Sequence, residues 1–173
     1  MSHKNVLAVD FGASSGRVML GNFDGNRLSI QEIHRFPNDP VILNGTMYWD
    51  FLRLFYEVKQ GLMKAKKYGK IDSIGVDTWG VDFGLIDKEG NLLENPVHYR
   101  DARTAGMLEK SFGKMDKDRF YQITGSQFME INTVFQLLAL LEKRPGLLEG
   151  TSRLLLMPDL FNYYLCGAQV SEY

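Results

Sequence analysis

A short β-branched run opens the ordered pattern. Residues 6–9 are apolar, end at Asp10 and predict a strand. Phe11-Gly12-Ala13-Ser14-Ser15-Gly16 follows as a turn, and residues 17–23 read as a second strand. Asp24-Gly25-Asn26 is a hairpin signal. It leads into a third strand over residues 28–36, with Leu28, Ile30, Glu32 and His34 on one face and Ile33 on the other. The alternation there is imperfect. Together the three runs predict an antiparallel meander.

Residues 37–45 read as a loop. Asp50 then caps a helix reaching residue 68, with Leu54, Phe55, Val58, Leu62 and Met63 at helical spacing and Gly69 as its stop. Residues 71–77 and 81–87 predict two more strands, separated by Thr78-Trp79-Gly80. The second turns at residues 88–91. Helices are predicted over 103–112, 116–124 and 133–142, a strand over 153–157 and a helix from Pro158 to Tyr164, ended by Gly167. Residues 168–173 read as a strand just beginning. That is an awkward place for a domain to stop, and it predicts a piece of a longer chain. Strands alternating with helices after a meander predict an α/β or α+β domain around a mixed sheet.

Composition narrows the function classes. The 173 residues suffice for one domain with a sizeable core. A formal net charge of −1 gives no basic excess for nucleic acid or anionic lipid. The lone Cys166 cannot form an internal disulfide, which fits a reducing, cytoplasmic setting. No apolar run approaches the length of a membrane span.

Three stretches can carry chemistry. In the first, Asp10 is followed by a bend in which Gly12 and Gly16 admit backbone conformations closed to other residues. Ala13, Ser14 and Ser15 are small enough for backbone N–H groups to approach an anion, and Arg17 adds positive charge. That donor nest suits a phosphate chain, with Asp10 holding a hydrated Mg²⁺. An ordinary hairpin turn with a capping Asp would use the same residues. No Gly-Lys-Ser/Thr is present, and a strand follows where a dinucleotide fingerprint needs a helix.

The second stretch, Asp77-Thr78-Trp79-Gly80-Val81-Asp82, joins an aromatic face, a glycine and two acids, as carbohydrate sites do. A bulge with Trp79 in the core and the acids exposed is the other reading. The third, His98-Tyr99-Arg100-Asp101-Ala102-Arg103-Thr104, either holds a loop rigid by ion pairs or binds polar substrate groups. The three histidines are given no role, and no metal-ligand spacing is visible. Asp159 reads as a helix N-cap.

In this order the three motifs resemble the FGGY carbohydrate kinases. The likeness covers nearly the whole chain through Leu-Ala-Val-Asp-Phe-Gly-Ala-Ser-Ser-Gly-Arg from Leu7, Asp-Ser-Ile-Gly-Val-Asp-Thr-Trp-Gly-Val-Asp-Phe from Asp72, Tyr-Arg-Asp-Ala-Arg-Thr from Tyr99 and Leu-Met-Pro-Asp-Leu-Phe from Leu156. The resemblance implies an actin/hexokinase-like (ribonuclease H-like) α/β fold. It also implies ATP and Mg²⁺ as cofactors and a small-molecule sugar as acceptor, L-rhamnulose foremost. L-fuculose, D-xylulose or a non-catalytic actin-like ATP module are the alternatives.

By position in the motifs, Ala13, Ser14, Ser15, Gly16 and Arg17 would bind the ATP phosphates and Asp10 the Mg²⁺ through water. Gly80 would contact the sugar, with Trp79, Val81, Tyr99 and Asp101 nearby. The chain would be the N-terminal part of the first, sugar-binding domain. The general base and the adenosine-binding domain would lie beyond Tyr173. One departure stands out: the wider family carries Lys-x-Trp where this chain reads Gln136-Leu137-Leu138.

Overall fold

The computed structural model describes residues 3–171. Four strands form the principal sheet, in the order β3-β2-β1-β6: β1 (Lys4–Phe11), β2 (Ser15–Phe23), β3 (Leu28–Pro37) and β6 (Ser73–Asp77). The meander is antiparallel, as its turn residues predict, and β6 joins β1 in parallel. The sheet is therefore mixed. The chain needs a crossover to make that last pairing, and α1 (Phe51–Ala65) supplies much of it.

The imperfect alternation in β3 has a physical cause. His34 lies opposite Val18 and Glu32 opposite Met19, so Ile33 is an extra residue in a β-bulge. His34 accordingly faces away from Leu28, Ile30 and Glu32, contrary to the assignment by simple alternation. Leu28 and Ile30 are exposed on the outer face. Beyond the bulge, Phe36 is buried and His34 meets α1.

Asp50 caps α1 as predicted, its carboxylate accepting from the Arg53 amide at 3.1 Å. The helix buries Phe51, Leu54 and Val58 against Leu7, Val9, Val18 and Leu20 of the sheet. Met63, expected on that stripe, is exposed. Close approach depends on Gly61, where a Cβ would lie 2.3 Å from Val18 Cγ2. A polar staple fixes the same layer. His34 Nε2 donates to the buried Glu57 at 2.7 Å, and Lys64 Nζ donates to His34 Nδ1 at 2.8 Å. Burial pushes the Glu57 pKa up, but the His34 hydrogen bond and the Arg53 charge outweigh it and leave the group below its ordinary value.

Several local predictions change. The 37–45 loop contains β4 (Val41–Leu43), paired with β5 (Thr46–Tyr48) in a small hairpin. The strand predicted over 81–87 is shorter, β7 (Phe83–Ile86), and it pairs with β8 (Arg153–Leu156) instead of joining the main sheet. The 103–112 helix is split by Gly106 at φ 76° into a 3₁₀ turn and α2 (Met107–Phe112). α3 (Lys117–Thr124) and α4 (Thr133–Lys143) stand as expected, and a short α5 (Pro145–Glu149) is additional.

α6 (Met157–Cys166) begins with no side-chain cap, so Asp159 sits in its first turn and is not the N-cap. Residues 168–171 form no strand, and the remainder of that predicted segment lies outside the described residues. Phe161 of α6 stacks on Phe11 at 4.4 Å, which locks α6 to the end of β1. Among the described residues, no helix is long and apolar enough to cross a membrane.

Gly61→Ala should overpack the α1–β2 contact and destabilise the chain by about 1–3 kcal/mol. Urea unfolding measures the loss. Pairing it with Val18→Ala should restore part of the stability, because the offending methyls are then gone.

Candidate functional site

β1 and β6 run parallel with Asp10 opposite Asp77, so both strands end at one edge of the sheet. The 11–16 bend and the 77–82 break leave that edge side by side. Ligands of open α/β sheets gather at such carboxyl ends, where the chains diverge.

The bend is open. Ala13 and Ser14 are exposed, and among the described residues their amides donate to no protein acceptor. The turn closes through Gly12 N–H to Ser15 O at 2.9 Å. Below it the buried Asn38 acts as a clasp: its Nδ2 donates to Gly12 O at 2.8 Å and its backbone N–H to Ser14 O at 3.2 Å. Its Oδ1 is buried without a partner. The glycines serve differently from the expectation. Neither Gly12 nor Gly16 has a positive φ. Gly16 is required by packing, since a Cβ there would sit 2.3 Å from the Phe36 ring. Arg17 Nε donates to Asp10 Oδ2 at 2.6 Å. Both side chains are substantially exposed, so the pair can exchange partners at little cost.

No group of three or more metal-ligating side chains occurs among the described residues. Asp10 and Asp77 offer two carboxylates at one register of neighbouring strands. That donor set fits a cation that keeps most of its waters, and does not amount to an all-protein cage.

Beside the bend lies a cleft of about 540 Å³, lined by Asp77, Thr78, Gly80, Leu156, Asp159 and Asn162. Gly80 is exposed, with nothing within 4 Å of where a side chain would stand. Val81 instead borders a second hollow of about 420 Å³, with Phe128, Asn132 and Thr133. Trp79 belongs largely to the interior. It stacks on the fully buried Trp49 at 3.9 Å and meets Phe11 edge-on at 6.1 Å, and its indole N–H is buried without a partner. The stack continues from Trp49 to His98 at 4.0 Å and from His98 to Tyr99 at 4.5 Å.

Asp101 is buried and its carboxylate is taken by backbone: Met47 N–H at 2.8 Å and Arg103 N–H at 2.8 Å. It therefore ties the 98–104 loop to β5. The second acid of the break, Asp82, is fully buried, not exposed. Burial raises its pKa, opposed by hydrogen bonds from Trp49, Gln136 and the Tyr99 amide. His98, given no role by the sequence, has its pKa lowered to about 4 by burial and by the Arg100 charge. Its Nδ1 accepts the Arg100 amide at 2.9 Å, which needs the neutral ring.

Motif reading passed over Trp49 and Asn38, and it named Asp82 and Gln136 without joining them. Trp49 stands just before the α1 cap, a place where apolar residues commonly brace a helix entry. Asn38 offers only an Asn next to prolines.

The FGGY family of carbohydrate kinases, N-terminal domain, matches residues 5–173. A rhamnulokinase from Oceanobacillus iheyensis is 44% identical over 168 residues, 96% of this chain and 36% of that protein. A rhamnulokinase from Bacteroides thetaiotaomicron is 43% identical over 171 residues, 98% of this chain and 35% of that protein. The chain thus spans about a third of the length of these curated relatives. In three dimensions it is similar to a gluconate kinase from Lactobacillus acidophilus (TM-score 0.83, 16% identity, covering 98% of this chain and 35% of that one). A ligand-bound xylulose kinase from the same organism gives the same TM-score at 16% identity, covering 97% and 34%. These likenesses show the actin/hexokinase-like α/β fold.

Two outcomes follow from the geometry. Asn38→Ala should raise amide hydrogen exchange selectively at Gly12 and at residue 38, the two protected amides of the clasp, and cost about 1–2 kcal/mol in urea unfolding. The His98 ring should titrate near pH 4 by NMR, against 6.5 when unfolded. With the folded pKa depressed, the unfolded chain takes up the proton first, so this contribution is complete above pH 6.5 and is lost as pH falls towards 4. Asp82 acts with the opposite sign, because its raised pKa makes the folded chain the better proton binder. The stability difference between wild type and His98→Phe as a function of pH isolates the His98 term.

Proposed function

The chain belongs to the FGGY family of carbohydrate kinases, and on that premise we propose that it is the N-terminal part of the sugar-binding domain of a rhamnulokinase-type enzyme. That enzyme transfers the γ-phosphoryl group of ATP to the 1-hydroxyl of a ketose, L-rhamnulose foremost. The observation that carries this reading is the pairing of Asp10 with Asp77, which sets an open donor bend next to a carboxylate-lined cleft. The rhamnulokinase relatives support the choice of sugar.

In this reading the free amides of Ala13 and Ser14, with Ser15 and the bend at Gly16, receive phosphate oxygens. Arg17 turns from Asp10 to the anion. Asp10 and Asp77 are the residues that would hold a hydrated Mg²⁺, which would supply charge neutralisation at the phosphates. The cleft at Gly80 admits the sugar. A hydroxyl can reach the backbone there because no side chain intervenes, with Asp77 and Asp159 as acceptors nearby. Trp79 and Tyr99 support that strip from the aromatic stack, Val81 borders it from the neighbouring hollow, and Asp101 holds the loop that bears Tyr99.

In the complete protein a base takes the proton of the ketose 1-hydroxyl. The oxygen bonds to the γ-phosphorus, the bond to the β-phosphate oxygen breaks, and ADP leaves. That base is an aspartate expected beyond Tyr173, so this chain alone binds without turnover. A cytoplasmic setting accords with a supply of ATP.

Calorimetric titration with L-rhamnulose, L-fuculose and D-xylulose tests the reading, with a coupled ADP-release assay alongside. L-rhamnulose should bind tightest and release no ADP above blank. Gly80→Val should weaken that binding by more than about tenfold, through loss of close approach, with ATP binding kept. Equal binding of all three ketoses would refute the substrate assignment, and turnover by the chain would refute the placement of the base.

A further inference from the structure

Asp82 and Gln136 are both fully buried. A carboxylate loses its hydration on burial and needs donors in exchange. Asp82 Oδ2 accepts from Trp49 Nε1 at 2.6 Å and from the Tyr99 backbone N–H at 3.1 Å. Oδ1 accepts from Gln136 Nε2 at 2.8 Å. The same Gln136 amide nitrogen lies 3.2 Å from Val81 O and 2.9 Å from Ile131 O. Its Oε1 accepts from Arg103 Nη2 at 2.6 Å.

A core can often fill such a volume with apolar side chains at no loss of stability. The polar cluster does something an apolar one would not. It fixes Val81 in the 77–82 break, Tyr99 in the 98–104 loop and the entry to α4 by directed bonds to two side chains. It also fixes the Trp49 ring, on which Trp79 lies at 3.9 Å. Trp79, Val81 and Tyr99 are thus each one contact from the cluster, and Gly80 is covalently next to two of them.

We infer that Asp82 and Gln136 are positioning residues for the ketose, setting the relative placement of the Trp79–Gly80–Val81 strip and Tyr99. The inference rests on the ketose reading of the cleft given above. Asp82→Asn places an amide N–H₂ against the Gln136 N–H₂, and Gln136→Glu sets two carboxylates together; each single change breaks the geometry. The double variant relieves the contact of two carboxylates with the total charge unchanged. Its new amide at position 82 donates to one oxygen of the new carboxylate at position 136 and Arg103 donates to the other, while Val81 O and Ile131 O lose the Gln136 donor.

The test uses the full 173-residue chain with L-rhamnulose and Mg·ATP as separate probes in calorimetry. Each single variant should weaken L-rhamnulose by roughly tenfold or more, and the double should recover part of the loss suffered by Gln136→Glu. ATP binding should stay within about twofold throughout, since the 11–16 bend shares no bond with the cluster. Unchanged ketose affinity with a lowered melting temperature would reduce the cluster to core structure and overturn the inference. So would equal losses for both probes, or a double variant no better than the worse single.

If the Asp82 variants do not fold, Trp49→Phe keeps the aromatic stack and deletes one donor. It should weaken L-rhamnulose by about threefold or more, as loss of one hydrogen bond to a charged group does. No change would overturn the inference. If the wild-type chain binds no ketose, the substrate reading fails, and the positioning claim is judged by NMR. The chain has two tryptophans and hence two indole N–H signals. Asp82→Asn should move both, and a shift confined to Trp49 would show that the cluster does not govern the strip.

Discussion

The parallel pairing of β1 with β6 is the constraint on which the rest depends. An antiparallel neighbour would have carried the 77–82 break to the far end of the sheet from the 11–16 bend. Parallel pairing instead ends both strands together and lets the chains part in opposite directions, which opens a crevice without any further device. Aromatic contacts then hold the two exits in register. Phe11 meets Trp79 on one side and Phe161 on the other, so the ends of β1 and β6 and the start of α6 share one rigid junction.

The two halves of the site are built for different solvents. At the bend, Ala13 and Ser14 face water and the Asp10–Arg17 pair is substantially exposed. Charges there are screened and can re-pair when an anion arrives. Around Asp82 the reverse holds. The carboxylate is dry, its donors are fixed, and the adjoining histidine is neutral. One end is an adaptable receiver of charge and the other a stiff frame.

What the sequence made legible was local. The turn after Asp10, the α1 cap at Asp50 and the hairpin at 24–26 are each signalled by a few adjacent residues. Trp49, Asn38 and Gln136 matter only through partners far along the chain: Trp49 and Gln136 through Asp82, Asn38 through Gly12. Nothing in their own neighbourhoods announces that. For the same reason exposure stood as one reading of Asp82 and Asp101 was placed near the sugar, while the fold makes both buried acceptors. The longer strands were visible, the short β4 and β5 were not, and partner choice was not. β7 left the main sheet for β8, a decision made by tertiary packing.

Ile33 gives β3 a half-step of phase. Upstream of it, the strand shows its apolar side chains to one side of the sheet. Downstream, it shows them to the other, where Phe36 roofs Gly16 and His34 reaches Glu57. A single ribbon therefore serves two layers in succession. Its other side is apolar at Leu28 and Ile30 and exposed, so the odd residue is what divides an open face from a closed one along a single strand.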